Sequence, residues 1–325
     1  MSDPFVSLTG GGRPARIACL GEPMLELSDL RASDGRVALG VAGDSLNCAV
    51  YLRRMSPAST VSVDYLTALG TDNLSDRMVG FMRGQGLGTD GIARISSRLP
   101  GLYAIEVDDR GERSFRYWRS ASAARSMLGP EGLDLDRLAQ LDVLYLSGIS
   151  LAILPHDGRA RLIEACAALK DTGKAVVFDS NYRPILWDSI EDARTTMSAM
   201  WAATTLGLPS RDDEEAIWGD ASAHAIIDRL VSLGVPEIAL KDGSNGPHLA
   251  VGGERYERGA YRRASAVVDT TSAGDAFNGG YLAARLAGLD PNAAAKGAHE
   301  LAIAVIGHSG AIIPQAAMPP AFGSR

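Results

Sequence analysis

Short apolar segments alternate with amphipathic segments along most of the chain, and this alternation constrains the fold most. Most of the apolar segments end in a polar residue or glycine, and each amphipathic segment carries apolar residues three and four apart. The predicted strands are residues 17–21, 61–69, 143–147, 175–179, 204–208 and 238–241, and the predicted helices are 46–55, 76–85, 155–170 and 221–233. This pattern predicts a doubly wound α/β fold with a mostly parallel sheet flanked by helices. In such folds ligands bind beyond the carboxyl ends of the strands.

Two stretches, at about 25–43 and 100–119, break this pattern. In the second, Tyr103 and Ile105 alternate with small or polar residues, a turn follows at 108–111, and the alternation resumes. We predict that both stretches are antiparallel ribbons of a small β-sheet lid, whose closure would exclude water from a site. Because there is no internal repeat and no separating linker, we expect one domain over residues 1–325, with residues 1–14 as a loose N-terminal tail.

The charge balance and the apolar runs argue against several classes of function. The 325 residues include 39 acidic and 32 basic side chains, and the net charge of -7 repels nucleic acid and anionic lipid. No apolar run reaches the roughly 18 to 20 residues that cross a bilayer, and the first dozen residues lack the order of a signal peptide. The three cysteines form no disulfide or zinc pattern. We therefore expect a cytoplasmic protein with small-molecule partners, and no nucleic acid or membrane among them.

Residues 267–282 carry the strongest chemical signal in the sequence. Small residues at 272–274 precede Asp275, and an amphipathic helix follows. Backbone N–H groups at a helix start are unpaired and lie at the positive end of the helix dipole, so they bind anions. Asp275 would then accept a proton from a hydroxyl that attacks a phosphorus atom held there. An isolated Asp at such a position is most often an ordinary acidic cap, and only the whole run indicates phosphoryl transfer.

The run Asp-Thr-x-x-Ala-Gly-Asp at 269–275 resembles the second signature of the ribokinase-like (PfkB) carbohydrate kinases, with Ser272 in place of the usual glycine. Residues 42–47 resemble the first glycine motif of the same family. Segments at 99–103, 111–119, 144–150, 178–184 and 211–219 resemble the branch that acts on 2-keto-3-deoxygluconate, and the resemblance extends from about 17 to 318. It implies a ribokinase-like fold and ATP-dependent phosphorylation of the C6 hydroxyl of that sugar acid, giving 2-keto-3-deoxy-6-phosphogluconate.

The resemblance also implies roles for individual residues. Asp275 would be the general base, next to a backbone anion hole at Ser272, Ala273 and Gly274. The implied contacts with the sugar acid are Gly43, Asp44, Asn47, Tyr103, Tyr117, Arg119 and Arg183. An arginine fork suits a carboxylate, and Arg183 follows a predicted strand. Without the resemblance, Arg183 would be a surface arginine held by Asp179, and the tyrosines would be packing residues.

For the nucleotide, the implied contacts are Asn181, Arg183, Lys241, Gly243, Gly246, the anion-hole residues Ser272, Ala273 and Gly274, and His299. Residues 241–246 resemble the family's Lys-Arg-Gly-x-x-Gly loop, with Asp242 where arginine is usual. Taken alone, this loop would be a structural turn and His299 a packed helix residue. Mg²⁺ is expected to bind mainly through the ATP phosphates, with Asp213 holding one of its waters. The resemblance adds a monovalent cation near Asp269 and a homodimer through the lid.

Four other functions compete with this one. A dinucleotide-dependent dehydrogenase would carry G-x-G-x-x-G after the first strand, and a P-loop kinase would carry G-x-x-x-x-G-K-[ST]; the sequence has neither signal in that context. A catalytically silent sugar sensor would most simply have lost the base, whereas Asp275 is present. The closest alternative is a kinase of the same family for fructose, ribose or 2-keto-3-deoxygalactonate, since only the lid and the carboxylate contacts would differ.

Overall fold

The computed structural model describes residues 5, 13–28, 30, 36–107, 113–257 and 259–323. Within these ranges the strands are β1 (Ala15–Leu20), β2 (Met24–Ser28), β3 (Ala38–Ala42), β4 (Val61–Leu69), β5 (Ile92–Arg94), β6 (Gly101–Val107), β7 (Arg113–Trp118), β8 (Val143–Ser147), β9 (Ala175–Asp179), β10 (Leu206–Gly207), β11 (Glu237–Leu240), β12 (His248–Val251) and β13 (Glu254–Arg255).

The helices are α1 (Asp44–Met55), α2 (Asn73–Gly84), α3 (Gly148–Ala152), α4 (His156–Asp171), α5 (Ile190–Ala202), α6 (Arg211–Trp218), α7 (Ala223–Ser232), α8 (Ala273–Leu286) and α9 (Pro291–Ile306). Short 3₁₀ helices cover Ala123–Ser126, Leu135–Gln140, Pro184–Leu186, Gly243–Asn245 and Gln315–Ala317. No helix in the described part of the chain combines the length and the apolar character that crossing a bilayer requires.

The large sheet has the order β13-β12-β11-β10-β9-β8-β1-β4-β5. The strands from β11 to β5 are parallel, whereas β12 and β13 are antiparallel additions at one edge. Helices cover both faces, and β8 and β9 are buried along their whole length. On one face Tyr51 and Tyr281 are fully buried, and on the other Phe178 packs edge-on against Trp201 with ring centroids 4.6 Å apart. The predicted doubly wound fold is confirmed.

Element boundaries differ from the prediction where a side chain bonds to the backbone. Asp72 accepts hydrogen bonds from two backbone N–H groups, so α2 begins at Asn73, three residues before the predicted start. The strand predicted at 204–208 shortens to β10, because the Thr204 hydroxyl donates to the Met200 carbonyl at 2.8 Å and belongs to the end of α5. The sequence pattern did not predict α5, β5, β12 or β13.

A second, smaller sheet has the order β3-β2-β6-β7. Its hairpins β2–β3 and β6–β7 are antiparallel and fall within the ribbons predicted at 25–43 and 100–119, while β2 and β6 pair in parallel. The turn predicted at 108–111 lies outside the described residues. So do residues 1–4 and 6–12 of the predicted tail. Phe5 is fully buried, with its ring centroid 5.4 Å from the guanidinium carbon of Arg285.

Candidate active site

A cavity of about 670 Å³ lies between the carboxyl edge of the large sheet and the small sheet. The parallel strands direct their carboxyl ends to the same edge, where Asp179 ends β9 and Lys241 follows β11. Tyr103 of β6 and Tyr117 of β7 line the opposite wall. The fold therefore brings residues from distant parts of the chain to one cavity.

Asp275 lies in the first turn of α8 and is 7% exposed. Its Oδ2 accepts a hydrogen bond from Asn47 Nδ2 at 3.0 Å. Burial, followed by the negative charge of Asp44, raises the pKa of Asp275 well above its usual range, while the hydrogen bond from Asn47 acts against this shift. A buried carboxylate with a raised pKa that lines a cavity is a candidate general base.

The start of α8 leaves backbone donors available beside Asp275. Among the described residues, the backbone N–H groups of Gly274 and Asp275 have no hydrogen-bond acceptor. A Cβ added at Gly274 would meet nothing closer than Lys241 Cε at 3.9 Å, so the approach is open. Ser272 precedes the helix with φ 65°, a left-handed conformation that glycine adopts more easily. This helix end can hold an anion against two N–H groups and the positive end of the dipole.

Lys241 is held at the edge of the sheet by three acceptors. Its Nζ lies 2.8 Å from Asp179 Oδ1, 2.9 Å from Asn278 Oδ1 and 2.6 Å from the Leu208 carbonyl oxygen. Asn278, one turn into α8, also donates to Asp179 Oδ2 at 2.8 Å. These contacts link α8 to β9 and fix the lysine beside the helix start.

Arg183 is the cavity arginine with no ion pair among the described residues. Its Nη1 donates only to the Tyr182 carbonyl, at 3.3 Å. Burial opposes its charge, but nearby carboxylates, Asp44 and Asp213 first among them, outweigh this effect and hold the pKa of Arg183 above its usual range. A charged guanidinium group that lines a cavity and has no carboxylate partner among the described residues is suited to an anionic ligand.

Asp213, in the first turn of α6, is a partly buried carboxylate at the same edge. Burial and then the charge of Asp179 raise the pKa of Asp213 to about 6, whereas Arg183 and Lys241 oppose the shift. Its Oδ2 accepts a hydrogen bond from Ser180 Oγ at 3.3 Å. The excess of carboxylates here would be relieved by a bound cation.

The small sheet contributes two tyrosines and an arginine. The hydroxyl of the buried Tyr103 donates to Glu26, and its ring lies 5.8 Å from that of Tyr117, which is 53% exposed. Arg119 is buried and forms an ion pair with Glu22. This wall of the cavity is therefore aromatic, with one guanidinium group.

Two buried amide oxygens in the cavity have no donor among the described residues, Asn47 Oδ1 and Asn181 Oδ1. The amide nitrogen of Asn181 donates to Asp44 Oδ2 at 3.0 Å, which fixes its orientation. Gly43 precedes Asp44 with φ 154°, and a Cβ there would come within 2.5 Å of the Glu22 carbonyl oxygen. Amide oxygens accept hydrogen bonds only, so these groups suit a ligand rich in hydroxyls.

The model of the pfkB family carbohydrate kinases matches residues 14–318. The chain belongs to this family. It is 44% identical over 307 residues to a 2-dehydro-3-deoxygluconokinase of Dickeya dadantii (strain 3937), covering 93% of this chain and 98% of the relative. A 2-dehydro-3-deoxygluconokinase of Escherichia coli (strain K12) is 41% identical over 308 residues, covering 94% and 99%. The fold is similar to that of a fructokinase with bound ATP from Xylella fastidiosa, with a TM-score of 0.77 and 23% identity over 94% of this chain and 95% of that one.

Most of the site residues predicted for this pfkB kinase line the one cavity: Gly43, Asp44, Asn47, Tyr103, Tyr117, Arg119, Asn181, Arg183, Asp213, Lys241, Ser272, Ala273, Gly274 and Asp275. Gly243, Gly246 and His299 do not line it. One ring nitrogen of His299 lies 2.7 Å from the Arg262 carbonyl oxygen, and the ring packs on Tyr261 with centroids 5.1 Å apart. Their nucleotide contacts stay predictions.

Asp242, which replaces the arginine usual in pfkB kinases, makes contacts within its own loop region. Its Oδ2 lies 3.1 Å from His248 Nε2, and both carboxylate oxygens lie 3.5 Å from Arg211 Nη1. Asp242 does not line the cavity. At this edge of the large sheet, the positive charge that faces the cavity therefore comes from Lys241 and Arg183.

Several cavity residues were not among those predicted. Asp179 ends a predicted strand, so its position could have identified it. Ile149 and Ile185 line the same cavity, and Ile185 is 92% exposed, yet nothing in the sequence distinguishes them from other isoleucines. Glu22 does not line the cavity itself, and its pairing with the cavity residue Arg119 across 97 residues becomes visible only in the folded chain.

Proposed function

We propose that this pfkB kinase transfers the γ-phosphoryl group of ATP to the C6 hydroxyl of 2-keto-3-deoxygluconate, giving 2-keto-3-deoxy-6-phosphogluconate. The two relatives at 44% and 41% identity, matched over nearly their whole lengths, carry the name 2-dehydro-3-deoxygluconokinase. The observation that carries the chemistry is Asp275, a buried carboxylate hydrogen-bonded to Asn47, beside two N–H groups at the start of α8 that have no acceptor among the residues the structure describes.

Asp275 acts as the general base in this proposal. It accepts the C6 hydroxyl proton as that oxygen bonds to the γ-phosphorus and the bond to the ADP oxygen breaks. Asn47 orients the carboxylate, and burial makes it a stronger base than an exposed Asp. The N–H groups of Gly274 and Asp275, with the small residues Ser272 and Ala273 beside them, stabilise charge on the phosphoryl oxygens.

The cavity also suits ATP and magnesium. Unpaired N–H groups, Arg183 and Lys241 match phosphate oxygens, and the surplus carboxylates, Asp213 among them, match a divalent cation and its waters. Mg²⁺, when bound, neutralises charge on the phosphates, with Asp213 holding one of its waters. The further nucleotide contacts that we propose are Asn181, Gly243, Gly246 and His299.

The carboxylate of the sugar acid is proposed to bind Arg183 and Arg119. Arg183 has no ion pair among the described residues, and both arginines line the cavity. The hydroxyls would bind Asn47 and Asp44, with Gly43 allowing a close approach of the backbone. Tyr103 and Tyr117 cover the sugar from the small sheet, which acts as a lid that excludes water.

Two partner predictions accompany this function. A homodimer through the lid is supported by Trp118 of β7, which is 61% exposed, and the molar mass in solution tests it. A monovalent cation near Asp269 would join a carboxylate whose oxygens already accept the backbone N–H groups of Thr271, at 3.0 Å, and Gly310, at 2.8 Å. Comparing turnover in potassium and sodium salts tests the cation.

The decisive experiment measures ATP turnover with Mg²⁺ against 2-keto-3-deoxygluconate, its galactonate epimer, fructose and ribose in parallel. We expect a clear preference for the sugar acids over fructose and ribose, because two arginines line the cavity. A preference for a neutral sugar would keep the role of Asp275 and overturn the arginine contacts. Absence of turnover with every sugar would overturn the kinase proposal itself.

A further inference from the structure

Arg119 differs from the other buried arginines in one respect. The side-chain nitrogens of Arg159 and Arg285 all have acceptors. Arg119 uses Nε, at 2.9 Å, and Nη2 on the same oxygen of Glu22, and its Nη1 has no partner among the described residues. Because Arg119 lines the cavity, Nη1 is the nitrogen that remains for a ligand.

Glu22 is fixed from several sides. Its side chain is 2% exposed, and its Oε1 lies 2.5 Å from Ser122 Oγ. A Cβ added at Gly101 would come within 2.6 Å of the same oxygen, so the carboxylate fills the space beside the small sheet. Glu22 therefore has little freedom to move, and the guanidinium group bonded to it is held in one orientation.

We propose that Glu22 is a positioning residue for sugar-acid recognition, which holds Arg119 so that its free edge meets the substrate carboxylate. The pair is neutral as a whole, so Arg119 recognises the acid by the direction of its hydrogen bonds more than by net charge. The inference rests on the proposed function, because it requires an acidic substrate. It assigns to Glu22 an effect that acts through Arg119, without contact with the sugar.

A second buried pair provides the matched control. Glu237 accepts from Arg285 Nε at 2.8 Å and Nη2 at 3.0 Å, and from the Tyr281 hydroxyl at 2.7 Å. Arg285 Nη1 donates to the Leu289 carbonyl at 2.6 Å, and neither member of this pair lines the cavity. Loss of Glu237 should thus lower stability as loss of Glu22 does, without altering substrate recognition.

The test compares Glu22→Ala, Glu22→Gln, Arg119→Ala, the double variant Glu22→Ala/Arg119→Ala, and Glu237→Gln. We measure kcat, KM for 2-keto-3-deoxygluconate, KM for ATP, and the melting temperature of each. Glu22→Ala should raise the sugar-acid KM roughly tenfold, with a smaller change in kcat and in the ATP KM. Glu22→Gln should raise it about threefold, because the amide oxygen still accepts from Arg119 while the charge is lost. If Glu22→Ala does not fold, the KM of Glu22→Gln for the sugar acid decides the test.

The double variant separates positioning from general damage. In the Arg119→Ala background, loss of Glu22 should add less than about twofold to the sugar-acid KM, because its effect passes through the arginine. The inference would be overturned if folded Glu22→Gln had an unchanged or lower KM for the sugar acid. It would also be overturned if loss of Glu22 raised this KM as much in the Arg119→Ala background as in the unmodified enzyme, or if Glu237→Gln raised it as much as Glu22→Gln. If the unmodified enzyme phosphorylates no sugar acid, the proposed function fails. If Arg119→Ala raises KM and the Glu22 variants do not, only the role of Glu22 fails.

Discussion

The two β-sheets meet at one cavity but are stabilised in different ways. Strands β8 and β9 of the large sheet are buried completely, and the network of Lys241, Asp179 and Asn278 fixes their carboxyl edge to α8. The small sheet has four strands and leaves Tyr117 and Trp118 53% and 61% exposed. A sheet buried on both faces can hold reacting groups rigidly, whereas a thin sheet with one wet face can move against it.

The two sheets also differ in the charged groups that they bring to the cavity. Four carboxylates, those of Asp44, Asp179, Asp213 and Asp275, act on Arg183 at the edge of the large sheet. The small sheet side carries the neutral pair of Glu22 and Arg119. We infer that the large sheet performs the chemistry and the small sheet selects the substrate. Substitutions at the edge of the large sheet should therefore strongly change kcat or ligand binding. Substitutions in the small sheet should change mainly KM for the sugar.

The largest effect is expected from Asp275→Asn. The amide keeps the shape of the side chain but cannot accept the hydroxyl proton, so kcat should fall roughly 10³-fold while the ATP KM changes less than about threefold. Steady-state kinetics measures this. Asp242→Asn, at an aspartate outside the cavity, is the control and should keep near-normal kcat. Near-normal turnover of Asp275→Asn would show that Asp275, at the edge of the large sheet, is not the general base.

Arg183→Ala should have the next largest effect. Loss of this guanidinium group, which has no ion pair within the described part of the chain, should raise KM for the sugar acid roughly 30- to 100-fold, and should raise KM for ATP less. Arg255→Ala removes an arginine that pairs with Asp228 on the exposed surface and should leave both constants unchanged. Equal KM values for Arg183→Ala and the unmodified enzyme would contradict the carboxylate contact at this edge.

The pH dependence of stability tests the charge difference between the sheets. The folded pKa of Asp275 is raised above its unfolded value, so its ionisation costs stability as pH rises above about 4. Asp275→Asn removes this cost and should stabilise the protein by about 1 kcal/mol at pH 8, with a smaller gain near pH 4. Thermal unfolding at both pH values measures it. If Asp275→Asn stabilises the protein equally at both pH values, or more near pH 4, burial of the charge is not the cause of the stabilisation.

The smallest effect is expected from Tyr117→Ala in the small sheet. Removing a half-exposed ring from the lid should raise KM for the sugar about fivefold and change kcat less than about twofold. Phe115→Ala, which removes the neighbouring stacked ring, gives a second measurement on the same wall. A fall in kcat as large as the rise in KM would contradict the assignment of chemistry to the large sheet and substrate selection to the small sheet, because the lid would then take part in the chemical step.

The strands of the large sheet were predictable because their apolar runs need no long-range information. Val143–Ser147 and Ala175–Asp179 match their predicted bounds, since both are apolar throughout and end in a polar residue. The short edge strands β12 and β13 were missed, because the periodic signal in two to four residues is weak. The start of α2 was misplaced because a cap depends on one side chain, Asp72, and not on apolar spacing.

The candidate site also combines features that the sequence predicts with features that only the fold reveals. The run that ends in Asp275 is contiguous, so its residue types and order alone indicated a base beside an anion hole. The fold was needed for the raised pKa of that carboxylate, since Asp44 and Asn47 approach it from more than 200 residues away in sequence. The sequence also could not distinguish the two arginines, one without an ion pair and one bonded to Glu22.

The sequence by itself determined the doubly wound sheet, the two ribbons and the pfkB signature, and it indicated Asp275 as the proposed base. These features depend on local periodicity and on residues that are neighbours in the chain. Only the tertiary structure decided which charges face one another: Lys241 and Asp179, Arg211 and Asp242, and Arg119 and Glu22. The physical reason is that Coulomb energies and desolvation depend on distance and burial in space, and strands distant in sequence end at the same edge.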